Sequence, residues 1–226
     1  MNFLSHFYFE AYNPDSYYVL GVALPDLVKN HNRRWNLHPK KHEAEILRNE
    51  KLQSIYEGWK KHLWVDDLFH SSEFFLSESH AISNNIRSLP LENKHLKPFM
   101  VGHIGLELIL DTLLIRNNKL DPAQFYTHLG NCNILDIEEF IRINGIEQAH
   151  EFGAFYDRFK QIQYLLSYKN NESIVYALNR IQFRLSGEFL SEQDTRILQT
   201  AIAQCMDSLE LNYLSIFEEI EWKIKG

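Results

Sequence analysis

The sequence predicts an all-α protein, a multi-helix bundle with a metal site between core helices. Three observations carry that prediction. Glycine and proline are scarce, 9 and 6 in 226 residues, too few for the many tight turns of a β-sandwich or barrel. β-Branched residues are too scattered to build strands. Apolar residues recur at helical spacing, as in Ile46, Leu52, Ile55 and Trp59. With 45 % hydrophobic and 13 % aromatic residues, a chain of this length can bury the core of one large domain over residues 1–226.

The elements run in order along the chain. Residues 2–11 read as a short apolar helix. Asn13-Pro14-Asp15 reads as a turn, and Asp15, or the adjacent Ser16, caps the second helix. Residues 16–29 read as a buried helix that Pro25 should kink or end near Leu24. Residues 30–39 are polar and basic, a loop. Helical periodicity resumes from Lys40 to about Ser79, interrupted or bent near Gly58. A short helix and a loop around Pro90 occupy 83–94. Pro98 opens a long helix to Asn117, and Asp121-Pro122 starts another. Asp136-Ile137-Glu138-Glu139 opens a third, ending near Gly145. Segments 147–167, 172–186 and 191–223 read as helices, the last capped by Ser191 with acids in its first turn. Candidate ligands concentrate before residue 118. Residues 1–117 are therefore the expected metal-site core and 118–226 supporting or lid helices.

Charge and composition narrow the function. A net charge of −7 makes bulk binding to nucleic acid or an anionic membrane unfavourable. A local basic stretch, Lys29, Arg33, Arg34, Lys40, Lys41, Lys60 and Lys61, runs against that balance. Cys132 and Cys205 are far apart, which excludes a disulfide framework and a cysteine-based zinc site. The start of the chain lacks the basic and apolar regions of a signal peptide, and no membrane span is expected. The expectation is a cytoplasmic protein.

The chemistry is concentrated in two triplets. Residues at i, i+4 and i+8 of a helix fall within an arc of about 80°. His62, Asp66 and His70 thus share one face of one helix, and His103, Glu107 and Asp111 share one face of another. Their neighbours, such as Val65, Leu106 and Ile109, are apolar, so the polar groups sit in core-forming helices. Charges so placed must be paired or bind metal. The ends of a triplet lie about 12 Å apart, too far to serve one ion. Each triplet must serve two ions, or one member must orient another. Imidazole with carboxylate suits Zn, Mn or Fe, and the lack of thiolate suits catalysis. A purely polar seam between helices is the alternative. His6, Asp26, and His38 with His42 are outlying candidates for the same site.

These residues carry two resemblances. The opening Met1-Asn2-Phe3-Leu4-Ser5-His6, the segment Gly21-x2-Leu24-Pro25-Asp26, and Gly58-x3-His62-x3-Asp66 resemble the bacterial acyl carrier protein phosphodiesterases. Those are all-helical, HD-domain-like enzymes that release phosphopantetheine using a divalent metal, typically Mn. The resemblance covers about the first 115 residues and departs at His70, where that family tends to carry an acid. The order His6, Pro25-Asp26, His38 or His42, His62-x3-Asp66-x3-His70, His103-x3-Glu107 is also similar to the zinc-dependent phospholipase C and nuclease fold. Both imply phosphoester hydrolysis with one or more metal ions, and spacing and resemblance together make His6, Asp26, His38, His62, Asp66, His70, His103, Glu107 and Asp111 the candidate ligands. Asp66 or Glu107 would be ligand or catalytic base. Arg33, Arg34, Lys60 and Lys61 would steer the phosphorylated substrate, or an acyl carrier protein, to the mouth. A nucleotide-directed phosphohydrolase, and a helical scaffold without activity, are the other readings.

Overall fold

The structure, a computed structural model, describes residues 1–225. Among these, 75 % are helical and none lies in a strand, so the chain is all-α as expected. In chain order the helices are α1 (Phe3–Tyr8), α2 (Ser16–His31), α3 (Glu43–Ile46), α4 (Glu50–His70), α5 (Glu73–Ser88), α6 (Pro98–Arg116), α7 (Pro122–Asn131), α8 (Ile134–Ile143), α9 (Glu151–Ile162), α10 (Asn171–Ser186), α11 (Glu192–Leu209) and α12 (Leu214–Lys225). Short 3-10 turns occupy Pro39–His42 and Tyr164–Ser167.

The starts written in local chemistry fall where expected. Asp15 accepts from the Tyr17 and Tyr18 amides and caps α2. Pro98 and Pro122 sit in the first turns of α6 and α7, and Asp121 caps the latter. Ser191 accepts from Asp194 N and caps α11. Two long segments divide instead. Segment 40–79 breaks at residues 47–49, between α3 and α4, and again at Ser71-Ser72, where the Ser72 hydroxyl caps α5 by accepting from Phe75 N. Helix 191–223 breaks at residues 210–213.

Two expected interruptions are absent. α2 continues through Pro25 to His31, and α4 continues past Gly58 to His70. The reason is tertiary. A Cβ on Gly21 would lie 2.1 Å from the Ile55 carbonyl oxygen, and one on Gly58 would lie 2.1 Å from the Tyr18 carbonyl oxygen and 2.9 Å from Gly21 Cα. α2 and α4 thus cross backbone to backbone at a pair of glycines. Gly58 is a contact surface, not a break. Packing of Leu20, Leu24, Leu27 and Val28, all buried, offsets the hydrogen bond that Pro25 cannot donate.

The chain divides into two compact units, each assembled from separated segments. One, the α2 unit, comprises His6–Asp66 and Leu120–Leu166. Its core joins α2 with Ile55 and Trp59 of α4, Phe125 of α7, Phe140 of α8, and Phe152 and Tyr156 of α9. The other, the α6 unit, comprises Met1–Ser5, Asp67–Lys119 and the chain from Ser167 onward. Residues after 118 therefore contribute to both units instead of forming one supporting layer. α6 is buried on nearly every side, as expected of a helix apolar all round. It has the length and apolarity of a membrane-spanning helix, but 72 % of that stretch is buried within the protein, the situation of a core helix. Gly102 brings it against α5, since a Cβ there would lie 2.3 Å from the Ser79 carbonyl oxygen.

Candidate metal centres

Two groups of three ligand-bearing side chains gather, one in each unit. In each, one donor atom per residue lies within 4.8 Å of the others. The grouping differs from the two helix-by-helix triplets. α4 contributes His62 and Asp66 to one group and His70 to the other.

In the α2 unit the group is His6 from α1 with His62 and Asp66 from α4. His6 Nε2 is 3.2 Å from Asp66 Oδ1, and His62 Nε2 is 3.7 Å from Asp66 Oδ2. The two imidazoles stack with centroids 4.0 Å apart. Both are buried, at 2 % and 3 % exposure. His62 Nδ1 lies 2.8 Å from the Val22 carbonyl oxygen. A carbonyl only accepts, so Nδ1 carries the proton and the Nε2 lone pair faces Asp66. A backbone carbonyl on the remote nitrogen is the usual way a ligating histidine is oriented. Burial, and then the neighbouring His6, hold the His62 pKa well below its ordinary value, which favours the neutral form a metal requires. Burial pushes the Asp66 carboxyl up, but the His6 hydrogen bond and the two histidines outweigh it and leave Asp66 well below the carboxylate range.

In the α6 unit the group is His70, the last residue of α4, with His103 and Glu107 one turn apart on α6. Both histidine Nε2 atoms lie 3.3 Å from the same oxygen, Glu107 Oε1. The Met1 ammonium lies 3.4 Å from that oxygen too. Phe75 packs edge-on against both rings, at 4.8 and 4.9 Å, and fixes their planes. Burial alone would raise the Glu107 pKa, but the Met1 ammonium, His103 and His70 hold it well below the carboxylate range.

The spacings fit an ion. A good charge-assisted N–H···O bond is about 2.7–2.9 Å long. Ligands on a tetrahedral ion with bonds of about 2.0–2.1 Å are about 3.3 Å apart. The 3.2 and 3.3 Å contacts lie nearer the second distance, while His62 Nε2 stands farther off, 3.7 Å from Asp66 Oδ2. The donors are imidazole nitrogen and carboxylate oxygen without thiolate, a set suited to Zn, Mn or Fe.

The remaining expected site residues are not among the six that make up the two groups. Asp111 is fully buried, and both its oxygens are occupied: Oδ1 accepts from Ser5 N and Ser5 Oγ, at 2.7 and 2.6 Å, and Oδ2 from Leu4 N and Asn2 Nδ2, at 3.2 and 2.8 Å. It fastens the start of α1 to α6 rather than joining the donor group. Burial pushes its pKa up to about 6, against the pull of those four donors. Asp26, half-buried on α2, and His38, exposed before the Pro39–His42 turn, belong to neither group. Lys60 pairs with Glu57 at 2.7 Å and lies over the Tyr56 ring, and Lys61 faces Glu10 at 3.6 Å and the Trp64 ring. Arg33 and Arg34 are exposed. The Val22 carbonyl and Phe75 carry no signal in the sequence, because neither residue type marks a ligand-orienting role.

No protein family, curated protein or solved structure matches this chain.

Proposed function

We propose that the protein is a metal-dependent phosphoric ester hydrolase that cleaves a phosphodiester. The observation that carries this reading is the pair of His–His–carboxylate groups, each with its donors converged. His6, His62 and Asp66 would hold one divalent transition-metal ion, and His70, His103 and Glu107 a second. Such an ion supplies a hydroxide near neutral pH by acidifying bound water and neutralises phosphoryl charge. The protein's own groups divide the remaining work. Asp66 and Glu107 are both held ionised, too acidic to accept a proton efficiently near pH 7, so they serve as ligands rather than general bases. His62 is oriented by Val22 and stays neutral. Phosphopantetheine carried on an acyl carrier protein is the first substrate to try, on the strength of the sequence resemblance alone.

A phospholipase C-like reading has one observation in its favour. Phe99, one turn before His103 on α6, is 74 % exposed with its ring 6.1 Å from that imidazole, a surface for an apolar substrate portion. Metal analysis of the purified protein tests the shared premise. At least one equivalent of Zn, Mn or Fe is expected, with hydrolysis of a generic phosphodiester that chelator abolishes. A metal-free protein whose thermal melt ignores chelator overturns the proposal. Parallel assays on holo carrier protein and phosphatidylcholine then separate the two substrates.

A further inference from the structure

Within the α6 unit, α5 packs against both α6 and α11, and the two contacts differ. Toward α6 it lies close, at Gly102. Toward α11 it leaves a groove of about 170 Å³. The sequence explains the gap. Short side chains line it, Ala81 from α5 with Cys205 and Ser208 from α11, and they do not fill the space between the two helices.

The groove changes character from floor to rim. Its floor is apolar: Ile82, Cys205 and Leu209 are 3 %, 9 % and 2 % exposed. Glu78 and Asn85 are half-buried, while Ala81, Gln204 and Ser208 are exposed at the rim. Glu78 and Asn85 stand seven residues apart on α5, about 10 Å along its axis, so the groove is elongated with a polar group towards each end. The Asn85 amide nitrogen donates to Cys205 Sγ at 3.7 Å, and Asn85 Oδ1 accepts no hydrogen bond among the described residues. Burial, opposed by that hydrogen bond and helped by the Glu78 charge, pushes the Cys205 thiol up, so the sulfur stays a neutral thiol near pH 7. Glu78 is then the one charged group lining the groove, and no cation lies within 4 Å of it among the described residues.

We propose that this groove binds a small organic ammonium ion, a primary amine on a short aliphatic chain. The ammonium would pair with Glu78, and the chain would cover Ile82 and Leu209. A lone carboxylate beside an apolar floor favours a cation and repels an anion. The volume matches roughly six waters at about 30 Å³ each, or a chain of about four or five carbons. A bare transition-metal ion would find one carboxylate and no imidazole there. The groove shares no residue with either metal group, so occupancy there does not depend on the metal ions.

The test titrates n-butylammonium chloride into the isotope-labelled full-length protein and follows backbone amide shifts by NMR. Saturable shifts confined to α5 and α11 are expected, with a dissociation constant on the order of millimolar for a ligand of about five heavy atoms. Butyrate and butan-1-ol should each bind at least about fivefold more weakly. Glu78→Gln, which keeps the size and removes the charge, should weaken n-butylammonium by a similar factor. Ala81→Trp, at an exposed position, should cover the groove and abolish the saturable shifts. Glu147→Gln, at an exposed acid of the α2 unit, should change the affinity less than about twofold. The affinity should be the same with and without chelator. Shifts that do not saturate or centre elsewhere, equal binding of butyrate or butan-1-ol, indifference to Glu78→Gln, or binding lost on chelation overturns the proposal.

Discussion

His6 and His62 are 2 % and 3 % exposed, whereas the side chains of His70 and His103 are 31 % and 33 % exposed. The donors are the same in kind, two imidazoles and one carboxylate, but the supports differ. The buried group is held by a stacked ring pair and a backbone carbonyl. The open group is held by the edge of Phe75 and by two ligands one turn apart on a core helix. Depth changes what each residue must do. A buried imidazole is also a packing and hydrogen-bonding element of its unit, so losing it disturbs the fold. A half-exposed imidazole can be lost with little structural effect and so reports on the ion alone.

The largest effect expected lies one turn beyond the open group on α6, at the buried Asp111. Asp111→Ala leaves four donors around residues 2–5 without an acceptor and should cost about 3–5 kcal/mol, read from chemical denaturation. A loss below about 1 kcal/mol would show that water replaces the carboxylate. Next comes the contrast itself. In chelated protein, His62→Ala should destabilise by about 2–4 kcal/mol through the lost bond to Val22 and the cavity left behind. His103→Ala should cost under about 1 kcal/mol in the same melt, yet remove one metal equivalent. Equal costs would break the distinction drawn from depth.

The pH response sharpens it further. The His62 pKa is depressed in the folded protein, so the unfolded chain takes up its proton more readily. The stability it contributes is present above the unfolded value of about 6.5 and is lost as pH falls from there towards the folded pKa. Chelated wild-type protein should therefore lose stability below about pH 6.5 more steeply than chelated His62→Ala. Parallel curves would remove this residue as the cause. The smallest effect is the most local. Phe75→Leu should weaken retention of the open group's ion by about tenfold while leaving the other ion in place, as measured by competition with a chromogenic chelator.

Much of this fold is legible in the sequence because it is written in short-range chemistry. Pro98, Asp121-Pro122 and Ser191 mark helix starts through their own dihedrals and side-chain oxygens. Pro25 and Gly58 mislead for the opposite reason. Their roles depend on a partner helix some 30 residues away, and no local pattern says that Gly21 meets Gly58. The site divides in the same way. The face of α4 bearing His62, Asp66 and His70 follows from helix period alone. That His70 joins α6, that His6 joins α4, and that Asp111 accepts from backbone amides near the chain start are facts of tertiary packing.

The polar, basic segment after α2 has a consequence of its own. Arg33, Arg34, Lys40 and Lys41 are four closely spaced cleavage sites for trypsin, all at the surface. A protease needs a stretch of backbone it can draw out and extend, and loop tips usually supply one. Here Trp35, Leu37 and Pro39 are buried between the scissile positions, and Lys29 holds the Arg33 and Trp35 carbonyls. The most basic stretch of the molecule should therefore be slow to nick while the α2 unit remains folded, and its cleavage would time the release of those three anchors.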